Sequence, residues 1–186
     1  MRIFHDWEFL EDGSTIDWIS VGMRREDGAE LYLVNAEMPA PRIAAHPWLM
    51  ANVVPHLPLW RSGPGQFNLD TRSPYVVDTP TAAEQIRHLI LGAAPEPELW
   101  AWYGSYDHVR LAQMWGPMID LPEGVPMVTH DIATLKLLAA RAPRSASPSR
   151  RARSTTRWPT PGTTRSCTRT TSRPCSAGWT GAPTDG

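Results

Sequence analysis

The chain lacks several features that would assign it to particular classes of protein. Its two cysteines, Cys167 and Cys175, both lie near the C-terminus, so residues 1–140 have neither a disulfide nor a C-x-x-C metal motif. No apolar run is long enough to cross a bilayer, and the charged N-terminus does not resemble a signal peptide. We therefore expect a cytoplasmic protein that has no membrane partner.

Large apolar side chains are almost missing from the last quarter of the sequence. Residues 141–186 contain no Leu, Ile, Val, Met, Phe or Tyr, but they contain nine arginines and a single acid. A segment of this composition cannot bury a core. Residues 1–140 hold the other eighteen acids and nine basic residues, a net charge of −9. The sequence thus predicts one folded domain over residues 1–140 and a disordered tail over residues 141–186.

The pattern that is present begins with an alternating stretch over residues 2–9. Because successive side chains of a strand point to opposite faces, Asp6 and Glu8 share one face and Trp7 and Phe9 share the other. Two like charges about 4 Å apart repel by roughly 4 kcal/mol at an effective dielectric near 20. A divalent cation with oxygen ligands would offset this repulsion. The plain alternative is an ordinary strand whose acids face water.

The remaining pattern predicts an α/β fold with a mixed sheet. Turn signals separate three strands that form an antiparallel meander, and further strands and helices follow. A helix capped by Thr79 ends at Gly92, and Asp107 follows the fourth strand at the start of a helix. Eight prolines interrupt residues 38–80, which we expect to form short helical turns between loops. Strands are predicted over residues 2–9, 16–23, 29–35, 97–103 and 126–132, and the last helix over residues 133–140.

Two stretches resemble a known family. Residues 6–9 (DWEF) and 99–109 (LWAWYGSYDHV) are similar to the actinobacterial polyadenylate-specific 3′-5′ exoribonucleases. These are RNase T-like exonucleases of the DEDDh type within the ribonuclease H-like superfamily. The resemblance covers about residues 1–140 and implies a ribonuclease H-like mixed sheet flanked by helices. It also implies hydrolysis of phosphodiester bonds at single-stranded RNA 3′ ends.

The resemblance implies a role for several residues. By position, Asp6, Glu8 and Asp107 are the catalytic metal ligands, and the cofactors are two Mg²⁺ or Mn²⁺ ions. Trp7 replaces the Thr that is more usual between the two acids, but it points to the opposite face. Phe9 matches a position that packs beside the terminal nucleotide, with core packing as the alternative.

The family's histidine and fourth acid have no counterpart in the chain as written. His130 and Asp131 are adjacent, so a strand would direct them to opposite faces, and we do not assign them these roles. The family motif reads approximately His-Asn-Ala-Leu-Ala-Asp-Ala-Arg-His-Asn on a helix. Residues 154–164, written with GC-rich codons and read from the third base of the first codon, give this motif complete. A single lysine beside seventeen arginines agrees with such codon usage.

We therefore expect residues 141–186 to be a frameshifted reading and the nuclease to be impaired or inactive. An alternative function is a non-catalytic RNA-binding or interaction protein that keeps the fold. A further alternative is that the arginine-rich tail is a genuine arm that binds nucleic acid. The sequence does not distinguish RNA from DNA as the preferred substrate. A homodimer is one of the expected oligomeric states.

Overall fold

The first strand forms where alternate side chains can be buried. A computed structural model describes residues 1–93 and 96–141, and its first element is strand β1, Arg2–Glu11. His5 and Trp7 are buried, whereas Asp6 is exposed and Glu8 is half-buried. This confirms the predicted strand and its alternation, although the strand continues two residues beyond the predicted end.

Strands β2 (Ile16–Arg25) and β3 (Glu30–Asn35) complete the predicted antiparallel meander. The register between β1 and β2 shifts between Glu8 and Phe9, so that Ile19 is an extra residue on β2. Such a bulge bends the strand and increases its local twist. It lies directly after the pair of acids on β1.

The proline-rich region contains more strand than the sequence predicted. The expected short helical turns are present as α1 (Ala40–Ala44), α2 (Pro47–Asn52) and a 3-10 turn (Val54–His56). A hairpin of β4 (Leu59–Gly63) and β5 (Gln66–Leu69) follows, and then the short strand β6 (Val76–Val77). The hairpin tolerates Pro64 because this residue lies in the turn, where Gly65 adopts a φ of +67°.

The second half of the domain alternates helices and strands as expected. The elements are α3 (Thr79–Leu91), β7 (Glu98–Ala101), α4 (Ser105–Ala112), a 3-10 turn (Met118–Asp120), β8 (Thr129–Asp131) and α5 (Ile132–Arg141). Both strands are shorter than their predicted spans. The main sheet has the order β6-β3-β2-β1-β7-β8. Strand β6 is parallel to β3, β7 is parallel to β1, and β8 is parallel to β7. The α/β class with a mixed sheet flanked by helices is confirmed.

The two faces of the sheet are covered differently. One face packs against α3 and α4 through a layer that includes Trp7, Ile86 and Leu111. The other face packs at one end against α1, α2 and the β4–β5 hairpin, through a second layer that includes Leu10 and Phe67. Within residues 1–93 and 96–141, the rest of this second face is uncovered around Asp6, where Phe4 is 40% exposed.

The N-terminus of α3 is capped by Asp78 and not by the predicted Thr79. The Asp78 carboxylate accepts a hydrogen bond of 2.9 Å from the Thr81 main-chain N–H, three residues on. Thr79 is already helical, and its hydroxyl oxygen lies 3.3 Å from the Trp18 indole nitrogen, which donates to it. The predicted cap lies one residue after the observed one, because Asp and Thr are both favoured at the cap position and Pro is favoured in the first turn.

Replacing the cap provides a test of this assignment. Asp78→Ala should lower the free energy of unfolding, because the Thr81 N–H loses its acceptor at the helix end. Asp78→Asn keeps an acceptor oxygen and should retain most of that stability. Urea unfolding of the three proteins would measure the difference, and equal stability of Asp78→Ala and the parent would contradict the assignment.

Two expectations concern the C-terminal segment. The expected domain boundary after residue 140 and the frameshifted, disordered tail concern residues 142–186, which lie outside the described residues. Among the described helices, none is long and apolar enough to cross a membrane.

Candidate active site

The site begins where β7 stops pairing with β1. β7 pairs in parallel only with residues Arg2 to Phe4, which leaves the Trp7 main-chain N–H free on that side. Asp107, in the first turn of α4, fills the gap, and its Oδ1 accepts a hydrogen bond of 2.9 Å from this N–H. Asp107 is only 6% exposed. The structure therefore places Asp107 against the residue that separates Asp6 from Glu8.

The three carboxyl groups are close enough to affect one another's ionisation. Burial raises the pKa of Asp107 to about 6, and the negative charge of Asp6 adds to this shift, although the Trp7 N–H opposes it. Burial also raises the pKa of Glu8, with further contributions from Asp6 and Asp107 and a smaller opposing one from His56. Raised carboxyl pKa values of this kind are typical of a site built for a positive charge.

The donor set suits a hard divalent cation. Its oxygen atoms come only from carboxylates, which Mg²⁺ and Mn²⁺ prefer, and their mutual repulsion would be relieved by a cation. Within residues 1–93 and 96–141, however, no group of three or more His, Cys, Asp and Glu side chains is already arranged to hold a metal ion. Asp6, Glu8 and Asp107 are therefore neighbours, but their carboxylates do not form a ready-made set of metal ligands.

A chain of hydrogen bonds lies on the other side of β1. The Trp7 indole N–H donates to His5 Nδ1 (3.2 Å), and the Thr129 hydroxyl oxygen lies 3.0 Å from both His5 Nε2 and His108 Nδ1. Burial lowers the pKa of His5 to about 4, with a smaller contribution from His108, and it also lowers the pKa of His108. Both imidazoles are therefore neutral at physiological pH.

The connection between β7 and α4 is tightly constrained. Tyr103 has a φ of +59°, unusual for a residue other than glycine, and its N–H donates to Asp131 Oδ1 (3.1 Å). A Cβ at the next residue, Gly104, would lie only 2.9 Å from the Ala101 Cβ and 3.0 Å from the Thr129 Cγ2. Both Asp131 and Thr129 belong to β8, so this strand holds the segment that leads into Asp107.

Phe9, the residue proposed to contact substrate, lies beside Tyr106 of α4. Their rings are 5.8 Å apart with an interplanar angle of 24°. Phe9 is half-buried and packs partly against the layer beneath the sheet. Phe9 therefore makes the core contacts that the alternative predicted, and its contact with a nucleotide stays a prediction.

Two adjoining cavities on the open face share Asp6, Gly22 and Tyr32 in their linings. The larger has a volume of about 650 Å³ and also includes the aromatic side chains of Phe4, Tyr75, Trp100 and Trp102. The smaller, of about 240 Å³, includes Glu8 and His56.

His56 is a site residue that sequence reasoning missed. It lies in the 3-10 turn of the proline-rich region and reaches the Glu8 cavity only through tertiary packing. No motif surrounds it in the sequence. His130 and Asp131, by contrast, have other contacts: the His130 ring lies 4.7 Å from that of Trp100, and Asp131 accepts from the Ala133 N–H at the start of α5.

The chain is similar to two curated proteins, each named 3′-5′ exoribonuclease, from Mycobacterium tuberculosis strains CDC 1551 and H37Rv. Each is 41% identical to this chain over 140 residues, which cover 73% of this chain and 73% of the relative. The chain belongs to this exoribonuclease family. No protein-family model matches the chain.

The buried carboxyl group of Asp107 carries a cost in stability that can be measured. Because the pKa of Asp107 is raised in the folded state, the unfolded chain releases this proton more readily, and ionised Asp107 destabilises the fold at pH 7. Asp107→Asn still offers an oxygen to the Trp7 N–H but carries no charge. It should raise the free energy of unfolding at pH 7 by on the order of 1–2 kcal/mol. The gain should shrink as the pH falls and should vanish well below pH 3.8, the ordinary pKa of this carboxyl group, where Asp107 is protonated in both states.

Asp131→Asn is the matched control, because hydrogen bonds from Thr134 and from main-chain N–H groups lower the pKa of Asp131. This variant should lose stability at pH 7. Chemical denaturation of both variants between about pH 3 and pH 7.5, without added metal, would measure the effect. A loss of stability in Asp107→Asn at pH 7 would contradict the electrostatic account.

Proposed function

We propose that the chain is a 3′-5′ exoribonuclease of the DEDDh type, with a ribonuclease H-like fold, that depends on divalent metal ions. The observation that carries the proposal is the placement of Asp107 against β1 between Asp6 and Glu8. The family supports the reaction class, because its curated members are named for 3′-5′ exoribonuclease activity. The substrate would be the 3′ end of single-stranded RNA.

In this proposal Asp6, Glu8 and Asp107 hold the divalent ions. When bound, two such ions would activate the attacking water and stabilise the leaving oxygen at a phosphodiester. The protein's own contribution is to hold Asp107 through the Trp7 N–H and to present the other two acids from a single face of β1. Asp6 is exposed and Glu8 half-buried, so both side chains are free to turn toward an incoming cation.

Phe9 is proposed to contact the terminal nucleotide together with Tyr106. The stacked pair adjoins the acids in the chain, since Phe9 follows Glu8 and Tyr106 precedes Asp107, and Tyr106 is 52% exposed. Aromatic rings accept bases without hydrogen-bond readout, which suits removal of successive nucleotides.

We further propose that the chain as written is impaired. The family's histidine and fourth acid would be encoded out of frame over residues 154–164, so neither side chain exists here. Two features of the described domain support a missing element. The 650 Å³ cavity is open beside Asp6, and α5 has no buried residue, with Leu135, Leu137 and Leu138 each at least half exposed. A further helix would ordinarily cover such surface.

The second candidate is a non-catalytic RNA-binding protein that keeps the fold. The lack of a preformed metal-holding group within the described residues is the observation that favours it. Metal binding and RNA hydrolysis distinguish the two candidates.

Metal binding should be weak and should favour Mn²⁺ and Mg²⁺ over Zn²⁺, because the proposed ligands are carboxylates. Affinity for Mn²⁺ should fall as the pH drops from 7.5 to 5.5, since protons compete for Asp107, whose pKa is about 6, and for Glu8. Glu8→Gln should weaken binding by about tenfold or more. Glu30→Gln, an exposed acid in the lining of the larger cavity that pairs with Arg24, is the control and should leave it unchanged. Calorimetry would test this, and a dominant tight response to Zn²⁺ would sink the carboxylate assignment.

Hydrolysis should be slow in the chain as written and restored by the corrected reading frame. Loss of a general base typically costs about 10²–10⁴ in rate, and loss of a metal ligand adds to this. Release of mononucleotides from a 3′-labelled oligoribonucleotide with Mn²⁺ would be compared among the chain, its frame-restored version and the M. tuberculosis relative, with EDTA as a control. Equal rates for the chain and the relative would refute the impairment, and no activity after frame restoration would refute the proposed function.

A further inference from the structure

We propose that Thr129 of β8 is a positioning residue that fixes Asp107 against β1 through its hydroxyl group, which lies between the imidazoles of His5 and His108. The inference rests on the proposed function, because the orientation of Asp107 matters for a cation site. The two acids on β1 are held by the strand itself. Asp107 has no such support, since it reaches the site from a different element.

Four hydrogen bonds, together with the chain link between Asp107 and His108, form a closed ring that includes Asp107. Its carboxylate accepts from the Trp7 main-chain N–H (2.9 Å), and the Trp7 indole N–H donates to His5 (3.2 Å). His5 and His108 each lie 3.0 Å from the Thr129 hydroxyl oxygen, and His108 adjoins Asp107 in the chain. The ring thus links β1, β8 and α4, and a shift of α4 along β1 would have to break it.

The Trp7 indole fixes which nitrogen of His5 carries the proton in this ring. Because the indole N–H donates to His5 Nδ1, the proton of neutral His5 must be on Nε2, which therefore donates to the Thr129 oxygen. The Thr129 hydroxyl group has one proton and a second lone pair, so it can donate to His108 Nδ1 or accept from it at the same distance. In either arrangement the side chain must accept from His5 and form a second hydrogen bond to His108, which a hydroxyl group can do. Valine has the same shape as threonine and can do neither.

A second set of contacts holds the same segment from the same strand. Side chains two residues apart on a strand share a face, so Thr129 and Asp131 both face the turn before α4. Asp131 accepts from the N–H of Tyr103, whose positive φ needs such support. The Thr129 methyl group lies where a Cβ at Gly104 would collide with it. Thr129 therefore uses its methyl group for packing and its hydroxyl group for the ring.

Thr129→Val and Thr129→Ser separate these two roles in the full chain. In the proposal, Thr129→Val weakens Mn²⁺ binding by about tenfold and speeds hydrogen exchange of the Trp7 amide, while cooperative unfolding is retained. Thr129→Ser keeps the hydroxyl group and should match the parent in both measurements. Long-range ¹⁵N–¹H spectra of the imidazoles should show the proton on Nε2 of His5 in the parent and in Thr129→Ser. A role in packing alone would affect serine, which lacks the methyl group, more than valine.

The two readouts also separate this inference from the proposed function. If the parent binds no Mn²⁺, the proposed function fails, and the Trp7 amide and imidazole signals alone decide the positioning role. Parent-like exchange of the Trp7 amide in Thr129→Val, or a proton on Nδ1 of His5 in the parent, would overturn the inference. If Thr129→Val does not fold, His108→Leu takes its place, with His108→Asn as the variant that keeps an acceptor. Loss of Trp7 amide protection in the leucine variant alone supports the ring, and equal protection in both overturns it.

Discussion

The site depends on the hydrogen bond between the Trp7 main-chain N–H and the Asp107 carboxylate. The bond exists because β7 accompanies β1 only as far as Phe4, so the next free N–H on that edge needs a partner. A buried main-chain N–H without an acceptor is costly, and a carboxylate satisfies it better than water in a space from which β7 has turned away. The same divergence opens the sheet above Asp6. One topological feature therefore supplies the third acid and makes room for a ligand.

The groups around this bond have opposite effects on stability as the pH changes. Neutral His5, with a pKa of about 4 against an ordinary 6.5, stabilises the fold fully above pH 6.5, and this contribution is lost as the pH falls toward 4. Asp107 and Glu8, with raised pKa values, destabilise the fold increasingly as the pH rises and they ionise. At neutral pH the fold is therefore supported by uncharged histidines on one side of β1 and strained by anions on the other. A cation would remove that strain without disturbing the histidines.

Much of the fold could be predicted from the sequence, because its pattern is local. Alternation over residues 2–9 was enough to predict β1 and the shared face of Asp6 and Glu8, and the Gly104 turn was enough to place Asp107 at the start of a helix. The β4–β5 hairpin was missed because prolines suggested broken helices where they in fact occupy turns. His56 and the ring through Thr129 were also missed. Their contact partners are distant in sequence, since His5 and Thr129 are 124 positions apart, and periodicity carries no information about such contacts.

The central claim is that Asp6, Glu8 and Asp107 together bind a divalent cation. Anomalous diffraction from crystals soaked in Mn²⁺ tests it most directly, because manganese can be located without reference to activity. The account predicts an anomalous peak within coordination distance of the Asp107 carboxylate and of at least one acid on β1. A saturating soak that leaves these carboxylates without a peak, or that places manganese only elsewhere on the chain, would contradict it.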